Sequence, residues 1–419
     1  MANLEVEEIV GGFTFTWQAE KITIKVTRLR LHNSDSRVTG VIQIINSLNG
    51  LTIYPQTSLN FTAERSRTQL AKSLSDEDNR CDWNTLIKAL SKIVIERAWA
   101  GEPVRELWTH AADVKPPEYL LYPILVKGLP TVIFGEKGAA KSTLALAFYL
   151  CLTFGWQDNP LELTVPERAI KTLILDWETE GEITQYYGKR LIDGSNAKLP
   201  EAKRLPSVPV YHRRCSLPLA DDLEQTQEWI AKIRAEVTII DSLGAAAGGE
   251  LNKPETALRF FAALRQLKTT SLILAQTSKD EDSKKKSIFG STYFTYYTRN
   301  VWELCKGESG NEDDLDLALF HRHGNISKPH PPLSFHLHYN ETGLTIEWQP
   351  FNLDEFMTKV NQLTQVLSTL KSGSLSVQEI VAKTGLKISQ VSRALNNLQT
   401  KGQVVSLDRG NWGLISHET

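Results

Sequence analysis

Along the first sixty residues apolar and polar positions alternate with a period of two. FTFTWQ, KITIKVTRLRL, RVTGVIQII and LTIYP are separated by turn residues such as His32-Asn33-Ser34-Asp35, and they predict a small antiparallel sheet within residues 12–62. Over residues 63–99 the period lengthens to that of a helix, with Asp82 as a plausible N-cap before WNTLIKALSKIVIERAW. A Pro-containing linker follows, with Pro103 and Lys115-Pro116-Pro117. The pattern then changes to short unbroken apolar runs at 131–134, 172–175, 237–240 and 271–275, interleaved with amphipathic stretches such as DDLEQTQEWIAKIRA and ETALRFFAALRQLK. Apolar strands alternating with helices predict a parallel sheet covered on both faces. From about Val301, VWELC, DLDLALFHRH, LSFHLHY and LTIEWQP predict antiparallel edge strands on the same domain.

After Phe351 the pattern shifts once more. FMTKVNQLTQVLSTLK is helix-periodic, SLSVQEIVAKTGL and KISQVSRALNNLQTKG read as two helices joined by a turn at Gly385, and VVSLDRGNWGLI reads as a hairpin with its tip at residues 408–411. The three regimes give expected domains at 1–112, 113–352 and 353–419 of an α/β protein. A chain of 419 residues exceeds the size at which one core keeps growing, so more than one domain is expected in any case. No stretch approaches the roughly 20 apolar residues that span a bilayer. The start, MANLEVEEIV, is acidic and lacks an apolar signal core, and four dispersed cysteines have no metal or redox spacing. These features predict a cytoplasmic location with reduced thiols and no membrane partner. A net charge of −2 does not announce a nucleic-acid binder, so that role has to come from local patches. Lys21, Lys25, Arg28 and Arg30 are one such patch, readable as a nucleic-acid face or as the wet side of a sheet.

The densest chemistry lies in TVIFGEKGAAKSTLAL, residues 131–146. A buried strand, a small-residue loop (Gly135, Glu136, Lys137, Gly138, Ala139, Ala140) and an apolar helix opened by Lys141, Ser142 and Thr143 form the context of a P-loop. Small residues let backbone N–H groups curl around phosphate oxygens, and the helix N-terminus adds its partial positive charge. Lys141 is the candidate for the β- and γ-phosphates, and the Ser142 hydroxyl for Mg²⁺. Ala140 stands where the P-loop pattern has its second Gly, which costs little if its φ is negative. Asp241 ends the third apolar run and is the candidate carboxylate beside Mg²⁺. Glu178, in Asp176-Trp177-Glu178 after the second run, is the preferred general base, with Asp176 and Glu180 as alternatives. Gln276 closes the fourth run, where an amide can sense the γ-phosphate. The loop after it carries Lys284, Lys285 and Lys286, a candidate contact to the DNA backbone or a solvated charge run.

The set GEKGAAKST, LILDWETE, TIIDSLGAAAGG, LILAQTSK and IFGSTYFTYYTRNVWEL resembles the RecA-like ATPase core over roughly residues 115–350. The likeness is greatest to the hexameric RepA-type ATPases of plasmids, phages and other mobile elements, with the DnaB and RecA families more distant. The resemblance implies ATP and Mg²⁺ as cofactors, Walker A roles for Lys141 and Ser142, a Walker B role for Asp241, a catalytic role for Glu178, and a glutamine leading to the DNA loop in Gln276. It also implies a ring or filament in which a neighbouring subunit supplies a cation. HRHGN makes Arg322 the candidate finger, although Phe320 stands where the family has a lysine, and Arg299 is a second candidate. His321 and His323, two apart on one strand face, are the residues a metal reading would use, but a surface strand suits them better. The C-terminal segment resembles a winged helix-turn-helix, with Lys387, Ser389, Gln390, Ser392 and Arg393 at the start of a recognition helix and Arg409 at the wing tip. Winged helices also serve as protein-interaction modules.

Two functional classes follow. One is an oligomeric ATPase coupling hydrolysis to a DNA transaction as helicase, loader or recombination mediator. The other is an ATP-gated DNA-binding regulator or defence-type sensor with slow hydrolysis. A P-loop kinase is disfavoured by a chain that ends in a DNA-reader fold.

Overall fold

The protein is described by a computed structural model covering residues 4–9, 12–32, 36–100, 115–207, 209–277, 288, 292–307, 313–326, 328–341, 343–353, 355–356, 360, 362–407 and 410–415. It is an α/β protein with an N-terminal antiparallel sheet, a large, largely parallel sheet and a C-terminal winged helix. The chain divides into two compact units: residues 1–117, 217–236 and 259–268 in one, the remainder in the other.

In the first unit β1 (Leu4–Ile9), β2 (Gly12–Trp17), β3 (Ile22–His32), β4 (Arg37–Asn46) and β5 (Thr52–Asn60) form an antiparallel meander in chain order. Phe15, Ile24 and Ile42 alternate inward and are fully buried, as are Trp83 and Leu90 of the second of two helices, α1 (Glu64–Glu77) and α2 (Trp83–Ala100). Asp82 caps the second as expected, its Oδ1 accepting from Thr85 N–H at 3.2 Å. The first strand was not legible in the alternation because it carries three glutamates, Glu5, Glu7 and Glu8, as suits an edge. Lys21, Lys25, Arg28 and Arg30 are all exposed. A bulge between Thr27 and Arg30 keeps the last two outward where simple alternation would have turned them inward. Arg28 Nε lies 2.6 Å from Glu224 Oε2.

The second sheet has nine strands in the order β10-β9-β11-β12-β8-β13-β14-β15-β16. After the hairpin β6 (Tyr119–Leu121) and β7 (Leu125–Val126) come β8 (Pro130–Gly135), α3 (Lys141–Phe154), β9 (Thr172–Asp176), α4 (Gly181–Lys198) and β10 (Tyr211–Arg214). Then follow α5 (Leu223–Ile233), β11 (Val237–Asp241), α6 (Leu243–Ala247), α7 (Pro254–Gln266), β12 (Thr270–Gln276), α8 (Thr292–Tyr297), β13 (Asn300–Lys306), β14 (Asp314–Gly324), β15 (Leu333–Tyr339) and β16 (Leu344–Trp348). The four apolar runs are parallel neighbours, as their composition requires.

VWELC corrects the expectation of an edge strand. β13 runs parallel to β8 inside the sheet, is buried from Asn300 to Cys305, and meets β14 antiparallel on its other side. Its apolar run is unbroken because both faces are covered.

The sheet's core gathers Leu144, Phe148 and Leu152 of α3 with Ile133, Ile174, Ile239 and Leu272 of the strands. At the far edge α4 lies against the turn into β16. A Cβ on Gly194 would stand 2.4 Å from Leu344 O and one on Gly343 would stand 2.7 Å from Gly194 Cα, so both positions need glycine. Arg190 Nη2 donates to Gly343 O at 2.8 Å and also to Asn340 O.

The C-terminal elements are α9 (Gln362–Thr369), β17 (Leu375–Ser376), α10 (Val377–Thr384), α11 (Ile388–Thr400), β18 (Val404–Ser406) and β19 (Asn411–Leu414). Val366, Leu370, Ile380, Val391, Leu395 and Leu398 make their own core. Ser376 and Glu379 form a capping box that starts α10, and Gly385 at φ +68° ends it. β18 and β19 pair antiparallel as the expected wing. Among the described residues no helix is long and apolar enough to cross a membrane.

Candidate nucleotide site

The C-terminal ends of β8, β9, β11 and β12 converge on one cleft of about 340 Å³, large enough for a small-molecule ligand. That is where an open parallel sheet places its ligand. β8 delivers the loop. Gly135 closes the strand because a Cβ there would lie 2.4 Å from Leu304 O of β13. Gly138 follows at φ +77°. Ala140 then takes φ +53°, ψ +30° at the N-cap of α3. Alanine costs little at this position only with a negative φ, and that condition fails. The left-handed region costs an L-residue about 1 kcal/mol or more. Ala140→Gly is therefore expected to raise stability by about 0.5–1 kcal/mol, less whatever the extra freedom of the unfolded chain removes. Urea unfolding checks it, and a destabilised variant would show that the methyl group's packing outweighs the backbone strain.

Lys141 Nζ donates to the carbonyls of Gly135 at 3.0 Å and Glu136 at 2.8 Å, so the loop itself holds the ammonium. Burial pushes its pKa down, against the opposing pull of Asp241, Glu178 and Glu136. Ser142 Oγ donates to Asp241 Oδ2 at 2.6 Å. Burial is the largest influence on Asp241 and lifts its pKa to about 6; Asp176 and Glu178 add to the rise, while Ser142 and Lys141 oppose it. A raised carboxylate pKa means that the folded state holds a costly charge once the pH exceeds it. Stability contributed by this residue falls as pH climbs from about 4 through about 6. Asp241→Asn is thus expected to stabilise the nucleotide-free protein by on the order of 2–3 kcal/mol at pH 7.5, with a smaller gain at pH 5. Equal effects at the two pH values in urea unfolding would contradict this.

Asp176 and Glu178 divide the work at the end of β9. Asp176 is buried; its Oδ1 accepts the N–H groups of Glu178 and Thr179, both at 2.8 Å, and its Oδ2 lies 3.3 Å from His212 Nε2. It shapes the turn. Glu180 is turned to solvent and paired with Arg214 at 3.2 Å. Glu178 is left facing the cleft, where Ser242 Oγ donates to its Oε1. Ser242 had no assigned role in the sequence reading. It follows Asp241 directly in the chain, so the end of β11 carries one carboxylate and touches the other through the Ser242 hydroxyl. Gln276 also lines the cleft. Ile183, Thr184 and Tyr187 of α4 supply a further wall that the sequence reading missed; the i, i+4 spacing of Ile183 and Tyr187 was the available signal.

Oxygen donors from Ser142 and Asp241 side by side, an ammonium within the loop and a helix N-terminus opening on the cleft fit a magnesium nucleotide. Ser142 and Asp241 would hold the ion; residues 135–143 would cradle the phosphates.

The remaining assigned residues lie elsewhere. Arg322 Nε and Nη2 each lie 2.7 Å from Glu303 Oε2, and the guanidinium rests over Phe320 at 4.5 Å. Arg299 is exposed. His321 stacks on Trp302 at 4.5 Å, accepts from His330 N–H at 3.1 Å through Nδ1, and has its pKa pushed down by burial. Its ring is committed to packing, not to a metal shared with His323. Lys387, at the N-cap of α11, and Ser389 and Arg393 on the helix are exposed, and Ser392 is half-buried. Gln390 Oε1 accepts from Lys387 N–H at 3.0 Å, so its amide oxygen already serves the start of the helix. Lys284, Lys285, Lys286 and Arg409 lie outside the described residues.

Residues 102–282 match an AAA domain, and residues 359–409 match the DprA winged helix domain. No match is found among curated proteins. The chain thus combines a P-loop ATPase domain with a C-terminal winged helix, an arrangement that suggests a DNA-processing nucleoside triphosphatase.

Proposed function

We propose that this protein is an oligomeric, RepA-like ATPase that couples ATP hydrolysis to a DNA transaction, as helicase, loader or recombination mediator. The observations that carry the reading are the Ser142–Asp241 and Ser242–Glu178 hydrogen bonds, which gather a serine–aspartate pair suited to a metal and a second carboxylate at one end of a parallel sheet. Bound Mg²⁺ supplies Lewis-acid polarisation of the phosphate oxygens. Lys141 leaves its loop carbonyls for the β- and γ-phosphates. Glu178 orients water and takes its proton, with Ser242 holding the carboxylate in place. Gln276 senses the γ-phosphate and relays its loss to the loop that carries Lys284, Lys285 and Lys286, which contact the DNA backbone. Lys387, Ser389, Gln390, Arg393 and Arg409 contact duplex DNA from the winged helix, and the protein works in the cytoplasm.

One observation favours the second reading, an ATP-gated regulator. The candidate trans finger Arg322 is ion-paired to Glu303 of its own chain, and it would have to leave that partner to reach a neighbour's nucleotide. A resting state with slow turnover follows from such a pair. ATP hydrolysis measured without DNA, with single-stranded DNA and with duplex DNA separates the two. Strong stimulation by DNA is the motor or recombinase result; flat, slow turnover overturns it in favour of the regulator.

A further inference from the structure

We propose that Asp314, His336 and His338 form a binding site for a zinc-class divalent cation, with Asp316 as the residue that orients His336. The strands β14 and β15 read DLDL and FHLH in strict alternation, so the leucines and Phe335 turn into the core while two aspartates and two histidines share the outer face. Antiparallel register sets Asp314 directly opposite His338 and Asp316 directly opposite His336, the spacing at which cross-strand side chains meet. One ligand atom from each of Asp314, His336 and His338 lies within 4.8 Å of the others.

The detail that points to a metal is the division of labour at His336. Its Nδ1 is 2.7 Å from Asp316 Oδ1, and its Nε2 is 3.1 Å from Asp314 Oδ1. Gln349 Nε2 donates to the same Asp316 oxygen at 2.9 Å. A carboxylate that holds one ring nitrogen, and is itself held, fixes the tautomer that presents the other nitrogen as a ligand. His338 Nδ1 stands 2.6 Å from Asp314 Oδ1. Ligands about 2.0–2.1 Å from a tetrahedral ion are about 3.3 Å apart, so modest spreading of these side chains admits the ion. Two imidazoles and a carboxylate suit Zn²⁺, Co²⁺ or Ni²⁺ better than Mg²⁺ or Ca²⁺, which prefer oxygen. Three protein ligands leave a fourth position open. The side chains of His336 and His338 are 41% and 42% exposed, so an ion can enter from solvent.

The site is separate from the nucleotide cleft and does not depend on the proposed ATPase role. Its test uses the full-length protein, freed of metal by chelator and carrying Asp241→Asn so that the nucleotide site does not compete. Zn²⁺ is titrated calorimetrically, and Co²⁺ by its visible absorption. One ion per chain with an imidazole-type Co²⁺ spectrum is expected. His338→Ala and His336→Ala should abolish it, and Asp316→Asn should weaken it by about 10- to 100-fold. Circular dichroism verifies that each variant is folded, and His338→Gln serves if His338→Ala is not. Unchanged stoichiometry and affinity in folded His336 and His338 variants, or no saturable binding in the parent, overturns the proposal. The cross-strand Asp–His pairs are then hydrogen bonds alone.

Discussion

Glu178→Gln is expected to leave ATP binding intact and to slow hydrolysis by about 10² to 10⁴-fold, the range a positioned general base contributes. Nearby carboxylates are poorly placed to substitute. Asp176 is buried and already accepts two backbone N–H groups, and Glu180 points to solvent against Arg214. The amide keeps the shape of the side chain and can still accept from Ser242, so the turn and the cleft should survive. Single-turnover phosphate release beside equilibrium binding of a fluorescent nucleotide separates the two effects. Normal turnover would move the role to Asp176 or Glu180.

Lys141→Ala should remove binding and turnover together. The side chain is the cation enclosed by the loop, whereas Lys137, also on the cleft, is exposed. Losing one or two charge-assisted bonds to phosphate costs about 3 kcal/mol or more, at least about 10²-fold in affinity. Folding should not suffer, because burial already works against this ammonium. A variant that is folded, with affinity within a few-fold of the parent, would sink the P-loop assignment.

The sequence made the cleft legible because its residues are local to strand ends, and strand ends announce themselves as apolar runs stopped by Gly, Asp or Gln. Gly135, Glu178, Asp241 and Gln276 were all found that way. Pairing is not local, so it is not written in any one segment. VWELC shows the same letters whether it lies at an edge or inside a sheet, and only its neighbours β8 and β14 decide. The edge strands β1 and β10 escaped notice because one carries glutamates and the other, YHRR, a histidine and two arginines. The sign of φ at Ala140 is invisible in a residue that usually avoids the left-handed region. The Asp314–His338 and Asp316–His336 pairs depend on register between strands, so no spacing within one motif could reveal them.

The glycine contact between α4 and the turn into β16 has a mechanical consequence. Gly194 and Gly343 leave no room for slip, and Arg190 ties the helix to two carbonyls of the same turn. The helix that walls the cleft with Ile183 and Tyr187 is therefore hinged to the outermost hairpin of the sheet. A change at that hairpin, far along the chain from the P-loop, is thereby passed to a wall of the cleft without altering any residue that lines it.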